Sequence, residues 1–181
     1  MDYFFYIVCD ILLGFVPQAI GCAVCLFAIT KLPLRSKNFW VTSAIFSTIA
    51  VFVRLICSFG LIEFGFHTVL IWMLFVVVAI AYNKLPVKQS TIGIVISGAL
   101  ILVAELVTGG VLSVAFGAER FNEIMSYEIA KGNTVQEATY RALCGIPMNV
   151  LFVAIALLLT FFLKKRRKKA AAAAESAQEV R

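Results

Sequence analysis

Charge is scarce in this chain. Only 14% of its residues are Asp, Glu, Lys or Arg, against roughly a quarter in soluble domains. With 62% hydrophobic residues over 181 positions, no stretch is polar enough to form a separate soluble domain. Histidine occurs once, as His67, and no zincin spacing, phosphate-binding glycine loop or paired-aspartate motif is present. An intramembrane cysteine peptidase needs a Cys and a His at compatible depth, and His67 falls in a connection between apolar runs. The sequence therefore reads as a non-enzyme with no cofactor and no metal. The five cysteines, Cys9, Cys22, Cys25, Cys57 and Cys144, are odd in number and sit mostly in apolar runs, which excludes a disulfide framework. They read as small packing residues, the Cys22/Cys25 pair included. A basic leader region and a small-residue cleavage site are also lacking, so the first apolar run is expected to stay as a span.

What is present is long apolar runs. Ser90 to Phe116 carries a single ionisable residue, Glu105, and at about 1.5 Å per helical residue it exceeds a hydrocarbon core of roughly 30 Å. Five such runs are expected to span, over 3–30, 39–59, 68–82, 90–116 and 146–163, giving an all-α integral membrane protein with one polytopic domain, 1–169. Pro17, flanked by Gly14, Gln18 and Gly21, predicts a kink in the first span whose freed carbonyl a neighbouring helix can satisfy. The two short basic connections share Lys-Leu-Pro, at Lys31-Leu32-Pro33 and Lys84-Leu85-Pro86, 53 residues apart. This spacing predicts a duplicated helical hairpin with both turns on one side of the membrane. The polar segment 117–145 predicts two short amphipathic surface helices. The first covers 118–130 and ends at Gly132; the second opens with the capping box Thr134 to Glu137. Pro147 then suits the first turn of the last span.

The formal charge of +6 is concentrated in one run, Lys164, Lys165, Arg166, Arg167, Lys168 and Lys169, directly after the last span. That placement predicts contact with anionic lipid head groups or a partner at the cytoplasmic face, not nucleic acid. With the C-terminus inside, the cytoplasmic segments hold Lys31, Arg35, Lys37, Lys84, Lys88, the six-residue run and Arg181, twelve in all, against Arg120, Lys131 and Arg141 on the other side. The expected topology is N-terminus out and C-terminus in, with a helix-prone, alanine-rich cytoplasmic tail from 170 to 181. The expected location is a multi-pass protein of a bacterial plasma membrane.

A charged group inside a span is costly and marks a functional-site hypothesis. Counted from the cytoplasmic edge of their spans, Arg54, Glu105 and Asn149 all fall about 21–23 Å up, with Gln18 nearby at about 18 Å. Arg54 and Glu105 are expected to pair, directly or through water, because each relieves the other's desolvation. Asp10, at about 30 Å, is placed near the outer interface. His67, beside Phe64 and Phe66, reads as an interfacial residue that would sense pH only if coupled to other groups. The polar set is open to two main readings. In one it is a structural clasp of ion pair and interhelical hydrogen bonds; in the other it lines an outward-facing pocket, covered by the segment after Phe116, that binds a small ligand or peptide. An ion or proton pathway is a third.

These features resemble the membrane-embedded sensor half of Gram-positive histidine kinases that detect peptide or envelope signals. The shared features are several spans, short basic cytoplasmic turns, a late-span glutamate near an Ile-Ser-x-x-Leu pattern (Ile96, Ser97, Leu100) and a basic exit helix. The kinase region expected after Lys169 is absent, so the resemblance implies signalling through a separate cytoplasmic partner or a homo-oligomer. The competing class is the substrate-binding subunit of a multi-component membrane transporter. Span parity, and whether Glu105 and Arg54 face a closed, ligand-sized cavity, discriminate between the two.

Overall fold

The computed structural model describes residues 5, 6, 8–58, 66–126 and 134–179. Among the described residues there are helices and no strands. The chain opens with a π-helical segment, Val8–Phe15, that runs into α1 (Val16–Thr30). Then follow α2 (Lys37–Ser58), α3 (Phe66–Ala81), α4 (Val87–Phe116), α5 (Ala118–Ser126) and α6 (Val135–Glu179). The expected start of the first span at 3, the connection over 60–65 and the end of the helix expected over 118–130 lie outside the described residues.

Four helical stretches are long and apolar enough to cross a membrane: Leu12–Thr30, Lys37–Cys57, Val87–Phe116 and Val135–Ala170. The fifth apolar helix, α3, has 16 residues, about 24 Å of helix, which is short of a roughly 30 Å core.

The bundle is organised around α1, which packs against α2, α4 and α6. Nine of its 15 residues are buried, most of them small. Lipid tails are as apolar as leucine, so helices associate in a membrane by close packing and interhelical hydrogen bonds rather than by hydrophobic burial. Glycine seams supply the packing here. A Cβ on Gly21 would run into the Phe152 ring of α6, and one on Gly98 into the Trp72 indole of α3. One on Gly93 would stand 2.9 Å from Leu26 Cδ1 of α1. Along α4 the buried residues, Ser90, Gly93, Ile94, Ser97, Gly98, Ala104 and Thr108, form a small-residue stripe at helical spacing. Val95, Leu102, Leu106 and Val114 are exposed. Small inside and bulky outside is the inverse of a soluble helix and suits a lipid surround.

The two Lys-Leu-Pro turns close their helices alike. Lys31 (φ 63°) and Lys84 (φ 53°) are the non-glycine residues with positive φ among those described. The following leucine N–H turns back to its helix, Leu32 to Phe27 O at 3.0 Å and Leu85 to Ala79 O at 3.3 Å. A left-handed residue with a backward N–H is how a helix C-terminus satisfies its last carbonyls. The turns diverge after proline. Ser36 Oγ caps α2 by accepting the Phe39 N–H at 3.2 Å, whereas α4 begins at Val87, directly after Pro86.

In α6 the sequence expectation needs correction. The capping box forms, with Thr134 N–H donating to Glu137 Oε2 at 2.8 Å and Glu137 N–H to Thr134 Oγ1 at 3.3 Å. The helix it opens does not stop at Gly145. It runs unbroken for 45 residues with Pro147 inside it, so the surface helix and last span are one element. Packing against α1 and α4 outweighs the local breaking tendency, as neighbouring helices allow in membranes.

Gly21→Ala is expected to destabilise by about 1–3 kcal/mol, because the Phe152 ring is fully buried and cannot swing away. Gly110→Ala, where a Cβ meets nothing within 4 Å, is expected to be neutral or to stabilise by up to about 1 kcal/mol through helix propensity. Thermal unfolding of both variants in one mild detergent measures the contrast.

Candidate functional site

A cavity of about 340 Å³ lies between the helices at the end of the bundle away from the Lys-Leu-Pro turns. Asp10, Gln18, Arg54, His67, Glu105 and Asn149 all line it. The polar residues singled out by the sequence, with His67, are therefore brought to one place. Each wall has a local cause.

Pro17 has no N–H for the carbonyl four residues earlier, Leu13. The Asn149 side chain in α6 supplies the missing donor, its Nδ2 reaching Leu13 O at 3.0 Å. The expected irregularity in the first span is thus present, displaced to the turn before proline, where the backbone is π-helical over Val8–Phe15. Single π turns inside helices cluster at functional sites, and this one presents Asp10, Gly14 and Phe15 to the cavity.

Arg54, 9% exposed, forms its ion pair with Asp10, Nε to Oδ2 at 3.6 Å, and its guanidinium lies 5.2 Å from the centre of the Phe15 ring. This corrects two expectations. Arg54 pairs directly with Asp10, no direct pair of Arg54 with Glu105 occurs among the described residues, and Asp10 lines the same cavity as the other polar residues. A π-helix rises less per residue than an α-helix, so the count of about 1.5 Å per residue does not apply over Val8–Phe15. The long arginine side chain covers the remaining difference. Glu105 lines the same cavity from α4 with no hydrogen bond or ion pair to another described residue.

His67 is also corrected. It is 7% exposed and lines the cavity instead of facing the interface; its Nε2 lies 3.3 Å from Thr68 Oγ1. Phe66, one helical position earlier, is 67% exposed and takes the outward direction. A step of about 100° round the helix separates the two.

Sequence reasoning missed Trp72, Met125 and Arg141, which also line the cavity. Arg141, Gly145, Met148 and Asn149 share one face of α6 at spacings of four, seven and eight, a pattern hidden when the helix is divided at Gly145. Thr68, Ile71, Trp72 and Phe75 form the matching stripe on α3. Met125 comes from α5, which joins α4 through Gly117 (φ 85°), and is the residue of that helix that lines the cavity.

At the opposite end the basic run divides. Lys164, Lys165, Arg166, Lys168 and Lys169 are exposed, whereas Arg167 turns inward and its Nη2 donates to the carbonyls of Ala28 at 2.7 Å and Ile29 at 3.4 Å. It closes the C-terminus of α1, where a cation also complements the helix dipole. No group of His, Cys, Asp and Glu that could hold a metal ion occurs among the described residues.

No family model, curated protein or solved structure matches the chain.

Two double-mutant cycles by thermal unfolding test this geometry. Asn149→Ala is expected to cost about 1–3 kcal/mol by stranding the Leu13 carbonyl, and Pro17→Ala, which restores a backbone donor, is expected to recover part of that loss. Strictly additive effects would exclude the link. Arg54→Ala with Asp10→Ala is expected to show a coupling of about 1 kcal/mol or more, and Arg54→Ala with Glu105→Ala a smaller one, since contact sets coupling.

Proposed function

We propose that the chain is a receptor-like membrane protein that binds a small ligand in an outward-facing polar cavity and acts through a cytoplasmic partner. The observation that carries this reading is convergence: charged and polar side chains from the π-helical segment and from α1, α2, α3, α4 and α6 line one cavity. Polar groups at membrane depth are expensive and persist where they serve a site, and a structural clasp alone would be expected to close the space around them. A volume of about 340 Å³ falls at the lower end of the roughly 300–1,000 Å³ range of small-molecule sites, which favours a small ligand over an extended peptide.

In this reading α3 is the fifth crossing, its shortness taken up by local bilayer thinning. The N-terminus is outside, and the basic run with its tail lies inside. The excess of lysine and arginine beside the Lys-Leu-Pro turns and after the last span supports that orientation, and the likeness to kinase-linked sensors supports signalling. Transport by a substrate-binding subunit is the second reading, favoured by the single observation that Glu105 and Arg54 line one ligand-sized cavity.

A reporter that works only in the cytoplasm, fused after Arg181, is expected to be active, and one that works only outside the cytoplasm to be silent; the reverse overturns the orientation. Affinity purification of the tagged protein from mild detergent extracts of its own host is expected to recover a histidine kinase or response regulator. Recovery of an ATP-binding cassette pair would move the assignment to transport.

A further inference from the structure

The cavity lining is unevenly satisfied, and the unevenness points to the chemistry of what enters it. Its cationic groups each have a partner, although the buried Arg54 Nε makes no hydrogen bond. Arg54 is held by Asp10 and stands over the Phe15 ring, and Arg141 and His67 are not without partners. Two of its acceptors, beside the paired Asp10, have no donor among the described residues. Asn149 is 2% exposed, and its Oδ1 is buried with no hydrogen-bond donor while its Nδ2 is committed to Leu13 O. The amide cannot be reversed to relieve this, because the Leu13 carbonyl needs the donor. Glu105, an exposed residue, lines the same space from α4, with no ion pair or hydrogen bond to another described residue. A buried unsatisfied acceptor costs about 1–3 kcal/mol, and a carboxylate at membrane depth calls for a partner.

Two open acceptors call for a ligand rich in donors and positively charged. The rest of the wall suits its body. Phe15, Trp72 and Phe75 line the cavity beside Ile71, Ile101 and Met148, and an aromatic face, tryptophan best, attracts a desolvated cation. Resting on the binding reading above, we infer that the ligand is a compact organic ammonium with an apolar body, its charged head held by Glu105 and Asn149 and its body against Trp72. An anion would meet Glu105 and Asn149 Oδ1 with no donor to offer. A neutral apolar molecule would leave both acceptors unsatisfied.

The test is a charge panel on the full chain in detergent or nanodiscs, read by thermal shift and calorimetry. Phenethylammonium chloride is compared with phenethyl alcohol and with phenylpropionate, which share its ring and linker and differ in the head. The expected result is saturable stabilisation by the ammonium alone, weakened about tenfold or more by Glu105→Gln and less by Trp72→Phe. Stabilisation by phenylpropionate, or equally by the alcohol, would overturn the cation inference and leave the binding cavity standing. Stabilisation by sodium alone would overturn it in favour of an ion pathway. A shift from none of the probes would overturn the inference and the small-ligand reading together. Should Glu105→Gln fail to yield monodisperse protein, the panel on the unaltered chain decides the question by itself.

Discussion

A hydrocarbon surround offers no water to complete a hydrogen bond, and the structure of this chain follows from that constraint. Each break in helical regularity creates a polar group that another element must answer. The Leu13 carbonyl, freed by Pro17, is answered by Asn149 from α6. The last carbonyls of α1 are answered at its other end by Arg167, also from α6. These two contacts pin α6 to both ends of α1 and fix their register, while Gly21 against Phe152 sets the closeness between them. The helix with the largest share of small residues becomes the hub because it alone can be approached so closely from three sides.

Much of this was legible from residue type and spacing. Apolar run length places the crossing helices. The repeated Lys-Leu-Pro identifies two like turns, and the left-handed lysines at 31 and 84 show that the repetition is one of backbone conformation. Depth counting also gathered Arg54, Glu105, Asn149 and Gln18 into a set that lines one cavity. Three things were not legible, each for a physical reason. The π-helical segment changes rise and phase over Val8–Phe15, so Asp10 could not be levelled by an α-helical ruler. Gly145 and Pro147 carry strong local signals of a break that tertiary packing overrides, which hid Arg141 from the face it shares with Asn149. The direction of His67 depends on the rotation of α3 about its axis, which Phe66 and His67 as neighbours could not reveal.

The Arg54–Asp10 pair bears on which charges the cavity presents. Arg54, Glu105, Asp10 and Arg141 all line it. The π-helical segment of the first span carries Asp10 to Arg54, while Glu105 lines the shared space with no ion pair to a described residue. Such a buried pair adds little net stability once its desolvation is counted. Its consequence lies elsewhere, in deciding which charge the cavity presents.

The same geometry bears on why the larger of two cavities lies at this end, the smaller, about 230 Å³, being lined by the first Lys-Leu-Pro turn with Thr160, Lys164 and Arg167 of α6. Toward the Lys-Leu-Pro turns, the glycine seams at Gly21 and Gly93 bring backbones close and exclude space. Further along α4 the seam ends near Gly98, where the Trp72 indole fills the place of a side chain. Beyond that level the first span leaves α-helical geometry, and α5 and the early turns of α6 replace the close-packed spans as cover. Helices held tightly at one end and propped apart by a tryptophan and a π turn at the other must enclose a volume between them. Gln18 of α1, Glu105 of α4 and Asn149 of α6 all line it. Of the helices that line it, α6 is the element that continues into the exposed basic run.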